Sequence, residues 1–339
     1  MHSDIQVIPF QDEHREQVLQ LQHHLWSQDP VLNRAYFAWK YQDNPYLPSP
    51  TIALAVHRGR VVGMRGLVGA RWQAPASGWT TDIPFADDLV VAPEFRGRGV
   101  SGRLVRAVCG YARDLGYDFV LSLRGGQLTV LDSLAAGFRS IGAMEPVGRS
   151  RSQAGIVPRI VQRLRKTRFL WRAADLPWLR PGSDRRPFHR LERALSGGPR
   201  ATSGVRLARR AEAAAMASMV ERLPRDGRIR HVHDLPYFEW VFRNPRLEYR
   251  FLYYGGEQLE GYLVLHRELP PRKGPVTVWI SDWEGTSEAV RGRLLEAAAE
   301  GGGFTRLGVW SATLPAEAKA QLAGCGFEPI DLEARARGR

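Results

Sequence analysis

Asp88-Leu-Val-Val-Ala-Pro-Glu-Phe-Arg-Gly-Arg-Gly-Val-Ser-Gly-Arg-Leu104 reads as a short apolar strand, a loop with glycines at 97 and 99, and the start of a helix. The helix reading covers Gly99–Leu115, where Leu104, Ala107, Val108 and Tyr111 recur at helical spacing. The first backbone N–H groups of a helix have no internal acceptor, and the helix dipole adds roughly half a positive charge there. Glycines let the backbone close around an anion, so this junction suits a pyrophosphate. Arg96 and Arg98 add cationic charge to the same loop.

Working outward, Ile5–Ile8 alternates as an opening strand. Asp12 to Trp26 carries a helical stripe at Val18, Leu21 and Leu25. Ala35–Tyr41 reads as a short aromatic helix ending near Asn44-Pro45, as the restriction before proline requires. Ile52–Val56 and Val61–Val68 form a hairpin across Arg58-Gly59. Beyond the loop, Phe119–Leu123 reads as a buried strand and Thr129–Ala136 as a helix stopped by Gly137. Several consecutive strands before a strand–helix–strand unit predict an α/β (α+β) fold with a mixed, mainly antiparallel sheet flanked by helices.

Much of this pattern occurs twice. Tyr36-Phe-Ala-Trp-Lys-Tyr-Gln-Asp-Asn-Pro45 returns as Tyr237-Phe-Glu-Trp-Val-Phe-Arg-Asn-Pro245. Val100-Ser-Gly-Arg-Leu104 matches Val290-Arg-Gly-Arg-Leu294, and Ala136-Gly-Phe138 matches Cys325-Gly-Phe327. Ordered matches of this kind indicate two copies of one module. The expected organisation is a first module over 1–148, a connector over 149–203 and a second module over 204–335.

Two readings compete for the glycine loop. Gly97-x-Gly99-x-x-Gly102 formally matches a dinucleotide fingerprint, but Pro93 to Arg96 separate it from its strand. The acid expected about 20 residues on is also missing, since the next strand runs into Arg124. The segment Val91-x-Pro93-x-x-Arg96-Gly97-Arg98-Gly99-Val100-Ser101 resembles instead the acyl-CoA loop of the GNAT superfamily of N-acetyltransferases, written R/Q-x-x-G-x-G/A. Ser101 departs from the last small residue of that pattern. The resemblance extends over residues 5–142 and implies two tandem GNAT-like domains with acetyl-CoA, or another acyl-CoA, as co-substrate and a primary amine as acceptor. By that resemblance, Leu89, Val90 and Val91 would pair with the pantetheine arm, and Arg96, Gly97, Arg98, Gly99, Val100 and Ser101 would hold the pyrophosphate.

The resemblance also implies a base for the amine proton and an acid for the leaving thiolate. Asp87 and Asp88 stand where the family often places its acidic residue. Alternation along a strand lets only one of them face the acceptor. Where the family usually has a tyrosine this chain has Ser133, and its frequent asparagine is replaced by Gly126, followed by Gln127. The Trp-x-Tyr…Asn-Pro and Asp-Leu-Val-Val…Arg-Gly-x-Gly motifs resemble acetyltransferases associated with surface polysaccharides, and that resemblance implies an amino sugar as acceptor. Other readings are acyl transfer from an acyl carrier protein and a non-catalytic protein that binds CoA or a partner.

The second copy lacks the cradle. Thr286, Ser287 and Ala289 replace Arg96, Gly97 and Gly99, among Asp282, Glu284 and Glu288. That copy is therefore expected to keep the fold without acyl-CoA binding, and the aromatic motif shared by both copies reads as architectural. No metal is expected, because His231-x-His233 has no Cys or carboxylate set to complete a site. Cys109 and Cys325 form no cluster and fit a reducing compartment.

The composition (339 residues, 44% hydrophobic, 24% charged) excludes general disorder. No apolar run approaches the ~20 residues of a membrane span. The opening residues carry acids and no apolar signal core, so the expected place is the cytoplasm, or the periphery of the inner membrane surface. The net charge of +13 is concentrated. Between Arg151 and Arg200, thirteen Lys and Arg face three acids. Within that stretch Ile156–Trp171 reads as a basic amphipathic helix, suited to an acidic protein partner, an anionic membrane surface, or a strap between modules. No nucleic-acid-binding motif accompanies the charge, which argues against nucleic acid.

Overall fold

The computed structural model describes residues 4–47, 50–123, 127–150, 188–196, 204–224, 227–269, 277–302 and 304–330. The expected amphipathic helix at 156–171 lies outside them.

The elements run β1 (Ile5–Pro9), α1 (Arg15–Leu21), α2 (Pro30–Phe37), β2 (Ile52–His57), β3 (Arg60–Ala74), β4 (Trp79–Val91), α3 (Val100–Asp114) and α4 (Gln127–Ala135). They continue with β5 (Pro146–Ser150), α5 (His189–Ser196), β6 (Val205–Ala208), α6 (Ala213–Glu221), β7 (Arg230–His231) and α7 (Leu235–Val241). Last come β8 (Leu247–Gly255), β9 (Leu259–Glu268), β10 (Thr277–Gly285), α8 (Glu288–Gly301), β11 (Arg306–Trp310), α9 (Ala316–Gly324) and β12 (Glu328–Pro329).

Two compact units result, Met1–Gly142 with Pro224–Arg246, and Ala143–Leu223 with Leu247–Arg339. They differ from boundaries at 148 and 204, because two segments join the unit that the repeat does not assign them to. β5 pairs antiparallel with β11 and β12 in the second unit's sheet. Residues 224–246, which include the second aromatic motif, pack in the first unit, where β7 pairs with β3 at Trp72–His231.

In the first unit β1-β2-β3-β4 form an antiparallel sheet. Leu104, Val108 and Ala112 of α3 are fully buried in its core with Leu54, Val62 and Leu67. Burial of each such leucine or valine contributes roughly 1.5–3 kcal/mol. Two glycines of β3 let the aromatic segment pack closely against the strand. A Cβ at Gly66 would lie 2.2 Å from the Tyr41 hydroxyl, and one at Gly69 would lie 2.6 Å from the Tyr46 backbone. Only glycine leaves room there.

The expected strand at Phe119–Leu123 does not form. Leu121 makes one parallel bridge, to Phe85, while Phe119 and Leu123 are exposed. The run is apolar enough for a buried strand, but it leaves β4 after a single residue. In the second unit the corresponding contact is a true parallel pairing of β10 with β11 over three residues from Thr277. That sheet runs β12-β5-β11-β10-β9-β8-β6 over a core that includes Leu263, Leu265, Leu294 and Ala298.

Candidate active site

The glycine loop leads into α3 with Gly97 and Gly99 both left-handed, at φ +72° and +70°. Gly99 is the cap residue, and no side chain caps the helix. A Cβ built at either glycine would meet nothing within 4 Å, so the space before the helix is open. Arg96, Arg98 and both glycines are exposed, Val100 is buried, and Ser101 is half-buried. The Arg98 guanidinium lies 5.2 Å from the Phe95 ring centre. Arg96 Nε donates to the Val91 carbonyl at 3.0 Å. Uncapped N–H groups, left-handed glycines and two exposed arginines fit a pyrophosphate.

α8 of the second unit is built the other way. Ser287 caps it by accepting from the Val290 N–H, and Glu288 occupies its first turn. Both features compete with a bound anion.

β4 pairs with β3 along its length, but on its other edge only Phe85 meets a strand-like neighbour among the described residues. The Ala86 N–H donates to Leu121 and the Leu121 N–H to Pro84. Past that point Leu89, Val90 and Val91 have no partner strand on this edge among the described residues. Such an edge can pair with an extended chain.

Asp87 and Asp88 lie at the head of the split. Strand alternation alone would turn their side chains to opposite faces. Between Met64–Val90 and Gly66–Asp87 the register shifts, a bulge with Asp88 at φ +53°. The twist breaks the alternation, and both carboxylates reach the same ammonium group. Lys40 Nζ is 2.7 Å from Asp87 Oδ2 and 2.7 Å from Asp88 Oδ2.

Their environments differ. Asp88 is buried, and it also accepts from the Tyr41 hydroxyl at 2.7 Å and the Trp26 indole at 3.0 Å. With its oxygens engaged, it is a structural anchor. The Asp87 side chain is 48% exposed, and its Oδ1 accepts from the Asp88 N–H at 2.9 Å. Burial would raise the Asp87 carboxyl, but Lys40 and the backbone N–H outweigh it and hold the group below its ordinary range. Lys40 is itself pushed down by burial and pulled up more strongly by Asp88, Tyr36 and Asp87, so it stays charged. Asp87 is therefore the accessible anion of the pair.

Ser133 does not join this group. It is buried, and its hydroxyl donates to the Thr129 carbonyl at 2.8 Å, within its own helix. Gly126 lies outside the described residues. Among the described residues no three His, Cys, Asp or Glu groups gather as metal ligands, and no helix is long and apolar enough to cross a membrane.

Two residues of this site escaped the sequence reading: Lys40 and Trp26. Lys40 sits inside the aromatic motif between Trp39 and Tyr41, where a lone charge among apolar neighbours was the available signal.

Residues 17–130 match the model of the acetyltransferase (GNAT) family. This part of the chain resembles a GNAT domain. Its match runs from α1 through the glycine loop into α4. Solved structures resemble the fold of the chain as a whole. A tandem GNAT protein from the clavulanic acid biosynthesis pathway is 14% identical, with 96% of both chains covered and a TM-score of 0.53. A GCN5-related N-acetyltransferase from Anabaena variabilis is 11% identical, with 96% of this chain and 70% of that one covered and a TM-score of 0.59. A probable N-acyltransferase of unknown function from Enterococcus faecalis is 8% identical, with 90% and 65% covered and a TM-score of 0.54. At these identities the likeness is one of fold. No curated protein matches the chain.

Proposed function

We propose that the first unit transfers an acetyl or other acyl group from acyl-CoA to a primary amine. The observation that carries this reading is the continuity of three features: an uncapped glycine-led helix, an open edge of β4, and a half-exposed carboxylate at the head of that edge. In the reaction the amine nitrogen attacks the thioester carbon, a C–N bond forms, the C–S bond breaks, and CoA leaves as thiolate. The Gly97–Ser101 backbone would hold the pyrophosphate, and residues 89–91 would align the pantetheine arm. That fixes the thioester relative to Asp87, and such positioning is a large part of the barrier lowering for two-substrate reactions.

Asp87 has a role consistent with its environment. An anion held below the ordinary carboxylate range attracts the ammonium form in which an amine arrives, and passes its proton to water. Asp88 and Lys40 fix its position. Ser133, bonded within α4, supplies no acid for the thiolate, so the thiolate takes its proton from solvent. The amino-sugar acceptor rests on motif resemblance.

The test is acceptor-dependent release of free thiol from acetyl-CoA across a panel of amines, including amino sugars. Release that Asp87→Asn abolishes supports the reading. Binding of acetyl-CoA without release from any amine favours the non-catalytic reading, which the engaged Ser133 hydroxyl also supports. Transfer from acyl carrier protein with none from acyl-CoA would shift the donor.

A further inference from the structure

Arg65 is a buried cation with too few partners. It lies on β3 beside the bulge, on the face that α3 covers, and is 1% exposed. Among the described residues its one hydrogen bond runs from a terminal nitrogen to the Ala86 carbonyl at 3.2 Å, and its buried Nε meets no acceptor. A guanidinium carries five N–H donors, and leaving a buried donor unmet is costly. No carboxylate lies within ion-pairing distance of it among the described residues. Asp88 is saturated by Lys40, Tyr41 and Trp26, and Asp87 turns its two oxygens to Lys40 and a backbone N–H. Burial accordingly pulls Arg65 below its ordinary value, although Asp87 draws it back.

The position of its one acceptor locates the guanidinium. In a strand, the N–H and C=O of one residue point to the same neighbour. The Ala86 N–H bonds Leu121, so the Ala86 carbonyl also faces the edge where β4 and Leu121 part. The paired residue on β3, Leu67, turns its N–H to Thr51 on the far side, which agrees. Arg65 thus reaches beneath β4 to the apex of the split. From Val91 to Ala86 is about 17 Å along an extended strand. With the pyrophosphate at Gly97–Ser101 and the pantetheine arm along β4, the acyl end of the donor lies toward this apex.

We propose that Arg65 donates a hydrogen bond to an oxygen of the acyl group, and so selects acyl-CoA over free CoA. This rests on the acyl-transfer reading above. The oxygen is either the thioester carbonyl or a carboxylate at the end of a dicarboxylic acyl chain. Arg65 is a specificity residue for the donor; the amine does not touch it.

Calorimetric titration of CoA, acetyl-CoA and succinyl-CoA into the full chain tests this, with Arg65→Met, Arg65→Lys and a thermal melt of each variant. The wild type should bind at least one acyl-CoA about tenfold more tightly than CoA, the size expected of a charged hydrogen bond. Arg65→Met should bring that ratio near one while CoA affinity holds, and Arg65→Lys should restore part of it. Preference for acetyl-CoA and succinyl-CoA alike assigns the carbonyl; preference for succinyl-CoA alone assigns the terminal carboxylate. An unchanged ratio in Arg65→Met, or an equal loss for all three ligands, overturns the proposal and leaves Arg65 a tie between β3 and β4. Should Arg65→Met not fold, Arg65→Lys decides: an undiminished ratio overturns the proposal, and a reduced one supports it. A wild type that binds none of the three overturns the acyl-transfer reading first, and this one with it.

Discussion

The indole N–H of Trp39 donates to the Trp240 carbonyl at 2.9 Å, and the Trp240 N–H donates back to the Trp39 carbonyl at 2.7 Å. The two rings stack with centres 5.1 Å apart and planes within 7°. These residues hold the same place in the two aromatic motifs, so the repeat meets itself in reciprocal contact inside the first unit. Their neighbours repeat the relation locally. Asn44 accepts from the Tyr46 N–H, and Asn244 from the Arg246 N–H. Arg246 in turn lies over Tyr36 and donates to the Trp26 carbonyl, beside the anchor of Asp88.

That reciprocity predicts strong coupling. Trp240→Ala should cost about 3–5 kcal/mol, the usual range for removing a buried large aromatic, and the half-buried Trp39 somewhat less when replaced by Ala. The double variant should cost less than the sum, by at least the ~0.5–1.5 kcal/mol of an aromatic pair. Chemical denaturation of the three variants measures the cycle; strict additivity would show that the two motifs do not support each other.

The adjacent aspartates should separate cleanly. Asp87→Asn should lower kcat by about 10²–10⁴, as for loss of a proton-handling group, with little change in melting temperature. Asp88→Ala removes a buried partner of Lys40 and should destabilise the unit by about 3–5 kcal/mol. Kinetics and melting of both variants check this, and the reverse pattern would exchange their roles.

Lys40 also sets a pH limit. It outweighs the burial that would raise Asp87, so the acid limb of kcat/KM should lie below the ordinary carboxylate range. In Lys40→Met burial acts unopposed by that ammonium, and the limb should move to higher pH. Rate profiles from pH 3 to 8 show the displacement or its absence.

Stability should respond to pH in opposite directions in the two units. Burial depresses His231 to about 3 and His233 to about 4, below their ordinary 6.5. Their contribution is complete above pH 6.5 and is lost as pH falls toward 4 and 3. In the second unit burial pushes Asp282 up to about 7, against the hydrogen bond from Tyr262. Its contribution is complete below pH 3.8 and is lost as pH rises through 7. The acid slope of the first unit's melting curve should therefore shrink in His231→Phe, with His233 keeping the remainder, and the second unit's decline between pH 4 and 7 should vanish in Asp282→Asn.

What the sequence made legible was local. The glycine loop, α3 and the hairpin of β2 with β3 depend on short-range patterns, and they fold where those patterns place them. The bulge at Asp88 depends on register between β3 and β4, so no periodicity could show that neighbouring carboxylates would turn to one lysine. Phe119–Leu123 has the composition of a buried strand, yet pairing needs a neighbour, and β4 stays with it for one residue. The membership of β5 and of residues 224–246 follows from non-local pairing, which repeat spacing does not encode. Arg65 was hidden for the same reason: its meaning lies in the Ala86 carbonyl across the sheet.

The central claim is a single acyl-CoA cradle at Gly97–Ser101. Gly99 tests it well, because a Cβ there meets no protein atom and a substituent would stand in the cradle itself. Left-handed strain should cost Gly99→Ala only about 1–2 kcal/mol. Calorimetric titration of acetyl-CoA should show one site per chain in the wild type, weaker binding in Gly99→Ala and none in a folded Gly99→Trp. Undiminished binding in Gly99→Trp, or no binding in the wild type, would contradict the account.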